Sequence, residues 1–188
     1  MGHGGDVIAE LTTDHREIKD LFKQFSDTRP GSEDRKRLVD VLTIELVRHF
    51  VAEEEYLYPA VRKHLKEGDA LADKELAEHA RVEQLLADLQ QREPGDLDFD
   101  RLMVKLRTEV TAHVDDEENH LFPRRRNGVH SYVLEELGNK VRQAKKTAPT
   151  RPHPGAPSTP STPPVNKLLA PGLGMVDRVR DYVSGRGQ

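Results

Sequence analysis

The 188-residue chain has no cysteine and no tryptophan. Without cysteine it can form no disulfide, no thiolate zinc site and no iron-sulfur cluster, and it lacks a thiol nucleophile. Any metal must therefore be held by nitrogen and oxygen. Aromatic residues are scarce, at 5%, which counts against a β-rich fold. No apolar run approaches the roughly 20 residues that a membrane span requires. The opening MGHGGDVIAE has neither the basic start nor the apolar stretch of a secretion signal, so a cytoplasmic protein without membrane association is expected. Charged residues make up 33% and hydrophobic ones 35%, the balance of a solvated helical protein. The net charge is -4, and residues 147–188 set five basic side chains against Asp177 and Asp181, which leaves -7 on residues 1–146. So acidic a body argues against a nucleic-acid surface.

What the chain does have is an internal repeat. Residues 49–59, HFVAEEEYLYP, return 64 positions later as HVDDEENHLFP, residues 113–123, and both read H-x-x-x-E-E-x-x-L-(Tyr/Phe)-P. The same offset links Asp14-His15 to Glu78-His79, so that His15 precedes His49 by 34 residues and His79 precedes His113 by 34. Two copies of one helix pair are expected, each with a His on its first helix and a His plus a Glu on its second.

Apolar spacing supports helices throughout. Ile8, Leu11, His15, Ile18, Phe22 and Phe25 share one face of a first helix over about 6–27, and Thr28 to Gly31 is a turn. A second helix over about 33–66 carries Leu38, Leu42, Leu46, His49, Glu53, Leu57 and Val61, with Pro59 expected to kink it because proline has no backbone N–H. A third, over about 70–92, carries Leu76, His79, Val82, Leu86 and Leu89, with Glu83 one turn after His79. A fourth, over about 97–122, carries Leu102, Leu106, Val110, His113, Glu117 and Leu121. A fifth, shorter helix is expected over about 129–145. Residues 147–164, TAPTRPHPGAPSTPSTPP, read as an extended linker. The low apolar content beyond them favours a mostly disordered tail over a docked VDRVRDYV helix. The division expected is a bundle over 1–146 and a Pro-rich linker with a short amphipathic segment over 147–188.

Folded as an all-α, up-down-up-down four-helix bundle, the two hairpins bring His15, His49, His79 and His113 to one level, with Glu53 and Glu117 one turn away. Ionised carboxylates on core stripes cost several kcal/mol each if left unpaired, so a pair of cations is expected among them. Such donors suit iron or manganese, with zinc disfavoured by so carboxylate-rich a set. Glu54 and Glu118 point off the stripe and read as surface groups or as acceptors behind the ligands. Leu46, Val110, Phe22 and Phe25 are expected to line the site. Tyr56 is a possible phenol beside it, and His3, His64, His120, His130 and His153 read as surface residues.

At these residues the chain resembles the hemerythrin-like family, the bundle class with an HHE cation-binding motif. The resemblance covers about residues 6–125 and implies a non-haem di-iron centre, two Fe ions with an oxo or hydroxo bridge. His15, His49, His79 and His113 would be terminal ligands, and Glu53 and Glu117 bridging ones. Oxygen-carrying members place a second His one turn after the third-helix His. Here that position is Glu83, expected as a seventh, carboxylate ligand that favours the oxidised ions. The implied function is reaction with O2, H2O2 or NO, with catalase- or peroxidase-like turnover as the enzymatic version. The alternative is an iron- or oxygen-responsive sensor that signals to a protein partner through the C-terminal tail.

Overall fold

The computed structural model describes residues 5–124, 129–154, 175–178 and 180–182. Helix α1 spans Val7–Asp27, α2 Glu33–Ala52, α3 Tyr58–His64, α4 Gly68–Gln90, α5 Leu97–Asp116 and α6 Ser131–Thr147. The start of α1 is set by Asp6, whose side chain accepts from the Ala9 N–H at 2.8 Å, satisfying one of the donors that a helix N-terminus leaves free. Helices α1 and α2 form one antiparallel hairpin and α4 and α5 the second, and the two pack as the expected up-down-up-down bundle.

The long second and fourth helices are each interrupted by a π-turn, at Glu53–Leu57 and Glu117–Leu121. The N–H of Tyr58 reaches back to the carbonyl of Glu53, and that of Phe122 to the carbonyl of Glu117. Pro59 and Pro123 follow at once. A proline ring clashes with the carbonyl four residues earlier in an α-helix, and one extra residue in the turn relieves that clash, so the helix widens where a kink was expected. Each π-turn begins on a glutamate of the repeat motif, and such turns re-aim side chains at functional sites.

Two apolar clusters fill the bundle, one on either side of the histidine level. The first joins Ile18, Phe22, Leu42, Leu46, Leu86, Phe99 and Leu106 with their neighbours. The second joins Val7, Leu11, Leu57, Tyr58, Val61 and Leu121 to Leu134, Leu137 and Val141 of α6. Helix α6 lies against α1, α2 and the first π-turn. Its close approach depends on Gly138, because a Cβ there would lie 2.6 Å from the carbonyl oxygen of Gly5.

Beyond α6 the chain stays packed for several residues, and Ala148 and Thr150 are buried. Asp177 accepts from the backbone N–H of Thr150 and of Arg151, each at 3.2 Å, and faces His153 Nε2 at 3.0 Å. Arg178 donates to the carbonyls of Lys146 and Ala148 at the end of α6. His153, expected at the surface, is thus half-buried and paired. Most of the residues on which a disordered tail was expected, 155–174 among them, lie outside the described ones, as does His3. No helix among the described residues is long and apolar enough to cross a membrane.

Candidate metal centre

His15 on α1, His49 on α2, His79 on α4 and His113 on α5 are all buried, as are Glu53 and Glu117 at the first positions of the π-turns. Their inward atoms converge. The Nε2 atoms of His15 and His49 are 3.2 Å apart, and those of His79 and His113 are also 3.2 Å apart. Glu53 spans the two pairs, with Oε1 3.2 Å from His49 Nε2 and Oε2 3.3 Å from His79 Nε2. Glu117 Oε2 lies 3.3 Å from His15 Nε2 and 3.7 Å from His113 Nε2.

Each imidazole is turned inward by a carboxylate behind it. Asp14 faces His49 Nδ1 at 3.2 Å, and Glu78, its counterpart in the repeat, faces His113 Nδ1 at 3.1 Å. Glu118 faces His15 Nδ1 and Glu54 faces His79 Nδ1, both at 2.9 Å. A carboxylate accepts only from a protonated Nδ1, so each ring, when neutral, points its Nε2 lone pair to the centre. Histidines that bind metals are held in this way. Glu54 and Glu118 thus act as acceptors, each serving the opposite hairpin.

The cluster is electrostatically incomplete without a cation. Two inward lone pairs 3.2 Å apart repel. Glu53 Oε1 and Glu117 Oε2 are buried without a hydrogen-bond donor. The hydroxyl of Tyr58 has three acceptors for its one proton: His79 Nε2 at 3.0 Å, Glu117 Oε1 at 3.1 Å and Glu53 Oε2 at 3.4 Å. Burial, with the Glu117 charge beside it, pushes Glu53 well above the usual carboxylate range. Burial also holds His79 well below the ordinary imidazole value. At His113, burial acts downward but Glu117, Glu75 and Glu78 outweigh it and raise the ring to about 10. Cations held by these nitrogens and carboxylates would remove these conflicts, so the donor set fits a cation site. The compatible groupings are His15, His49, Glu53 and Glu117; Glu53, His79 and His113; and Glu75, His113 and Glu117.

Glu83, expected as a seventh ligand, belongs to none of these groups. It is half-buried, with Glu54 and His153 as its charged neighbours, and burial raises its carboxyl. Its repeat counterpart Lys19 sits 3.9 Å from Glu118. Position 83 and position 19 therefore both stand behind the acceptor of an imidazole, one as an anion and the other as a cation.

Tyr58, not Tyr56, is the phenol of the site; Tyr56 is partly buried beside Glu55. Spacing taken from an uninterrupted helix misplaces both, because the π-turn shifts the register by one. The motif nonetheless carried the signal, since an aromatic residue precedes its proline in both copies. The second aromatic, Phe122, stacks on His15 with ring centroids 5.6 Å apart. Phe50 stacks on His79 at 3.8 Å. Leu46, Val110, Phe22 and Phe25 belong to the adjoining apolar cluster. Glu75, fully buried with Oε2 3.0 Å from His113 Nδ1, had no signal in the repeat, where its counterpart is Leu11.

The arrangement has known relatives. The family model for the hemerythrin HHE cation binding domain matches residues 6–124. An uncharacterized hemerythrin-like protein of Schizosaccharomyces pombe is 28% identical over 171 residues, 90% of this chain and 82% of that protein. An uncharacterized protein of Mycobacterium tuberculosis is 34% identical over 140 residues, 70% of this chain and 80% of its own length. The crystal structure of a hemerythrin HHE cation binding domain-containing protein from Mycobacterium kansasii superposes with a TM-score of 0.67 at 29% identity, covering 75% of this chain and 85% of that one. The chain belongs to the hemerythrin HHE cation-binding family.

Proposed function

We propose that the chain holds two iron ions between its hairpins and reacts with or senses O2, H2O2 or NO there, with catalase- or peroxidase-like turnover as the enzymatic form. The observation that supports this reading is the convergence of four inward Nε2 atoms on two shared carboxylates whose buried oxygens lack donors. The ligands proposed are His15 and His49 for one ion, His79 and His113 for the other, and Glu53 and Glu117 for both. Glu83 is left out of that set because its carboxyl lies behind Glu54. Sulfur-free, carboxylate-rich donors favour iron or manganese over zinc.

An iron pair, when bound, supplies electron exchange with a small oxygen- or nitrogen-containing ligand. The chain supplies the surroundings. The Tyr58 hydroxyl is a proton donor on the His79 side, and on the His15 side the matching residue, Phe122, offers none. A ligand that needs a hydrogen bond is therefore better served on the His79 side. Phe50, Leu57 and Leu121, all buried, keep bulk water from the cluster.

Metal analysis of the purified full-length chain, with its near-ultraviolet absorption spectrum before and after addition of peroxide, tests the reading. Iron with an absorption band that responds to peroxide is expected. A chain that holds only zinc, or no metal, overturns it.

The docking of Asp177 on Thr150 and of Arg178 on the end of α6 favours a second reading, a sensor whose C-terminal segment passes the state of the ions to a protein partner. Asp177→Asn separates the two. It should leave peroxide turnover unchanged in an enzyme, and it should abolish any difference in docking between oxidised and reduced protein in a sensor.

A further inference from the structure

Helix α6 lies outside the residues that the family model matches, yet one of its side chains reaches the metal centre. The ammonium of Lys145, in its last turn, is buried and donates to Asp14 Oδ1 and, at 3.3 Å, to Glu10 Oε1. Asp14 presents its other oxygen to His49 Nδ1 at 3.2 Å. Arg142, one turn earlier, donates to Glu10 Oε2 at 3.4 Å. A continuous polar path thus runs from Lys145 through Asp14 to a ligand imidazole.

The other hairpin solves the same problem differently. Behind His113 stands Glu78, and behind Glu78 stands Lys74 at 3.2 Å, the repeat counterpart of Glu10. The Lys74 side chain is 46% exposed and that of Lys145 only 9%. Water screens the first cation, and little screens the second. The two imidazoles are therefore polarised unequally, and the buried cation comes from a helix that the repeat does not contain.

A carboxylate that accepts from Nδ1–H makes the opposite nitrogen a stronger donor to a metal. An ammonium on the same carboxylate opposes that effect, and its own field also disfavours the higher charge of an oxidised ion. We propose that Lys145 is a positioning residue that moderates the donor strength of His49 and so raises the reduction potential of the ion held by His15 and His49. The proposal rests on the iron reading above.

The test uses the full-length, iron-loaded chain. Lys145→Met and Lys145→Gln each remove the cation, while Glu10 keeps Arg142 and Asp14 keeps His49. Lys145→Arg serves as the charge-preserving control. Iron content and midpoint potentials, followed through the absorption spectrum, are the readouts. Both neutral variants should keep the iron content of the unaltered chain and show one potential moved to more negative values, while Lys145→Arg stays at the original value. An unchanged potential in a neutral variant, an equal negative shift in Lys145→Arg, or loss of iron from both neutral variants would each overturn the proposal. Absence of iron from the unaltered chain would overturn the iron reading as well, and is told apart because it is measured before any substitution.

Discussion

Tyr58 is the residue whose replacement says most about the chemistry. Its repeat counterpart is Phe122, so Tyr58→Phe removes one hydroxyl and leaves a ring that this framework already accommodates. Bound iron should stay at the level of the unaltered chain, while peroxide consumption, measured as evolved oxygen, falls about 100-fold, the low end for loss of a placed proton donor. Glu83→Gln has the opposite character. It relieves a buried carboxyl that faces Glu54, so iron content should not change, and unfolding by denaturant should show stability unchanged or raised by about 0.5–2 kcal/mol. Loss of iron in that variant would return Glu83 to the ligand set. At this scale the sequence was informative wherever a residue lay on an apolar stripe and recurred at the 64-residue offset, as the four histidines and Glu53 and Glu117 do. It was silent on Lys145, which is 131 positions away from Asp14. It was indirect on Glu54 and Glu118, which serve imidazoles on helices that no local pattern relates to them.

Among the elements, the π-turns explain the difference between the expected and the observed second and fourth helices. Pro59 and Pro123 announced an irregularity but not its form, because a kink and a widened turn both accommodate the ring. Only the widened turn swings Tyr58 and Phe122 onto the histidines. Helix α6 depends on Gly138 for its seat against Gly5. Gly138→Ala should push α6 outward and cost about 1–3 kcal/mol, the usual range for overpacking, read as a lower thermal midpoint. The docked C-terminal segment should respond to pH. The hydrogen bond to Asp177 raises His153, with burial and Arg180 opposing and Glu83 assisting. This contribution is complete below the ordinary imidazole value of about 6.5 and is lost as pH rises through the raised one. Asp177 is lowered: burial acts upward, but His153 and the Arg151 and Thr150 N–H groups prevail. Its contribution is therefore lost only as pH falls through a value below the ordinary aspartate one of about 3.9. Docking should be tightest between about pH 4 and 6.5. In a magnetic-resonance titration the His153 ring should change above 6.5, and Asp177→Asn should bring it back down.

For the molecule as a whole, the cluster lies where the two apolar cores meet, so a cation held there would also join them. Removing metal leaves Glu53, Glu117 and four imidazoles buried in mutual conflict, which costs several kcal/mol for each uncompensated charge. Chelation should lower the thermal midpoint, and added iron should restore it and raise it further with the logarithm of its free concentration, since a ligand that binds only the folded chain stabilises it by mass action. A midpoint indifferent to metal would mean that no ion occupies the cluster. The bundle itself was readable from spacing because its helices are long and amphipathic. The packing of residues 148–154 against residues 175–182 was not, because it relies on single polar contacts with no periodicity.

Glu54, from the first hairpin, orients His79 of the second, and Glu118, from the second, orients His15 of the first. Each half thus carries one histidine of the cluster that its sibling aims. Produced as separate fragments divided between His64 and Gly68, the halves should capture iron poorly alone and regain it when mixed, each acting as the other's missing template.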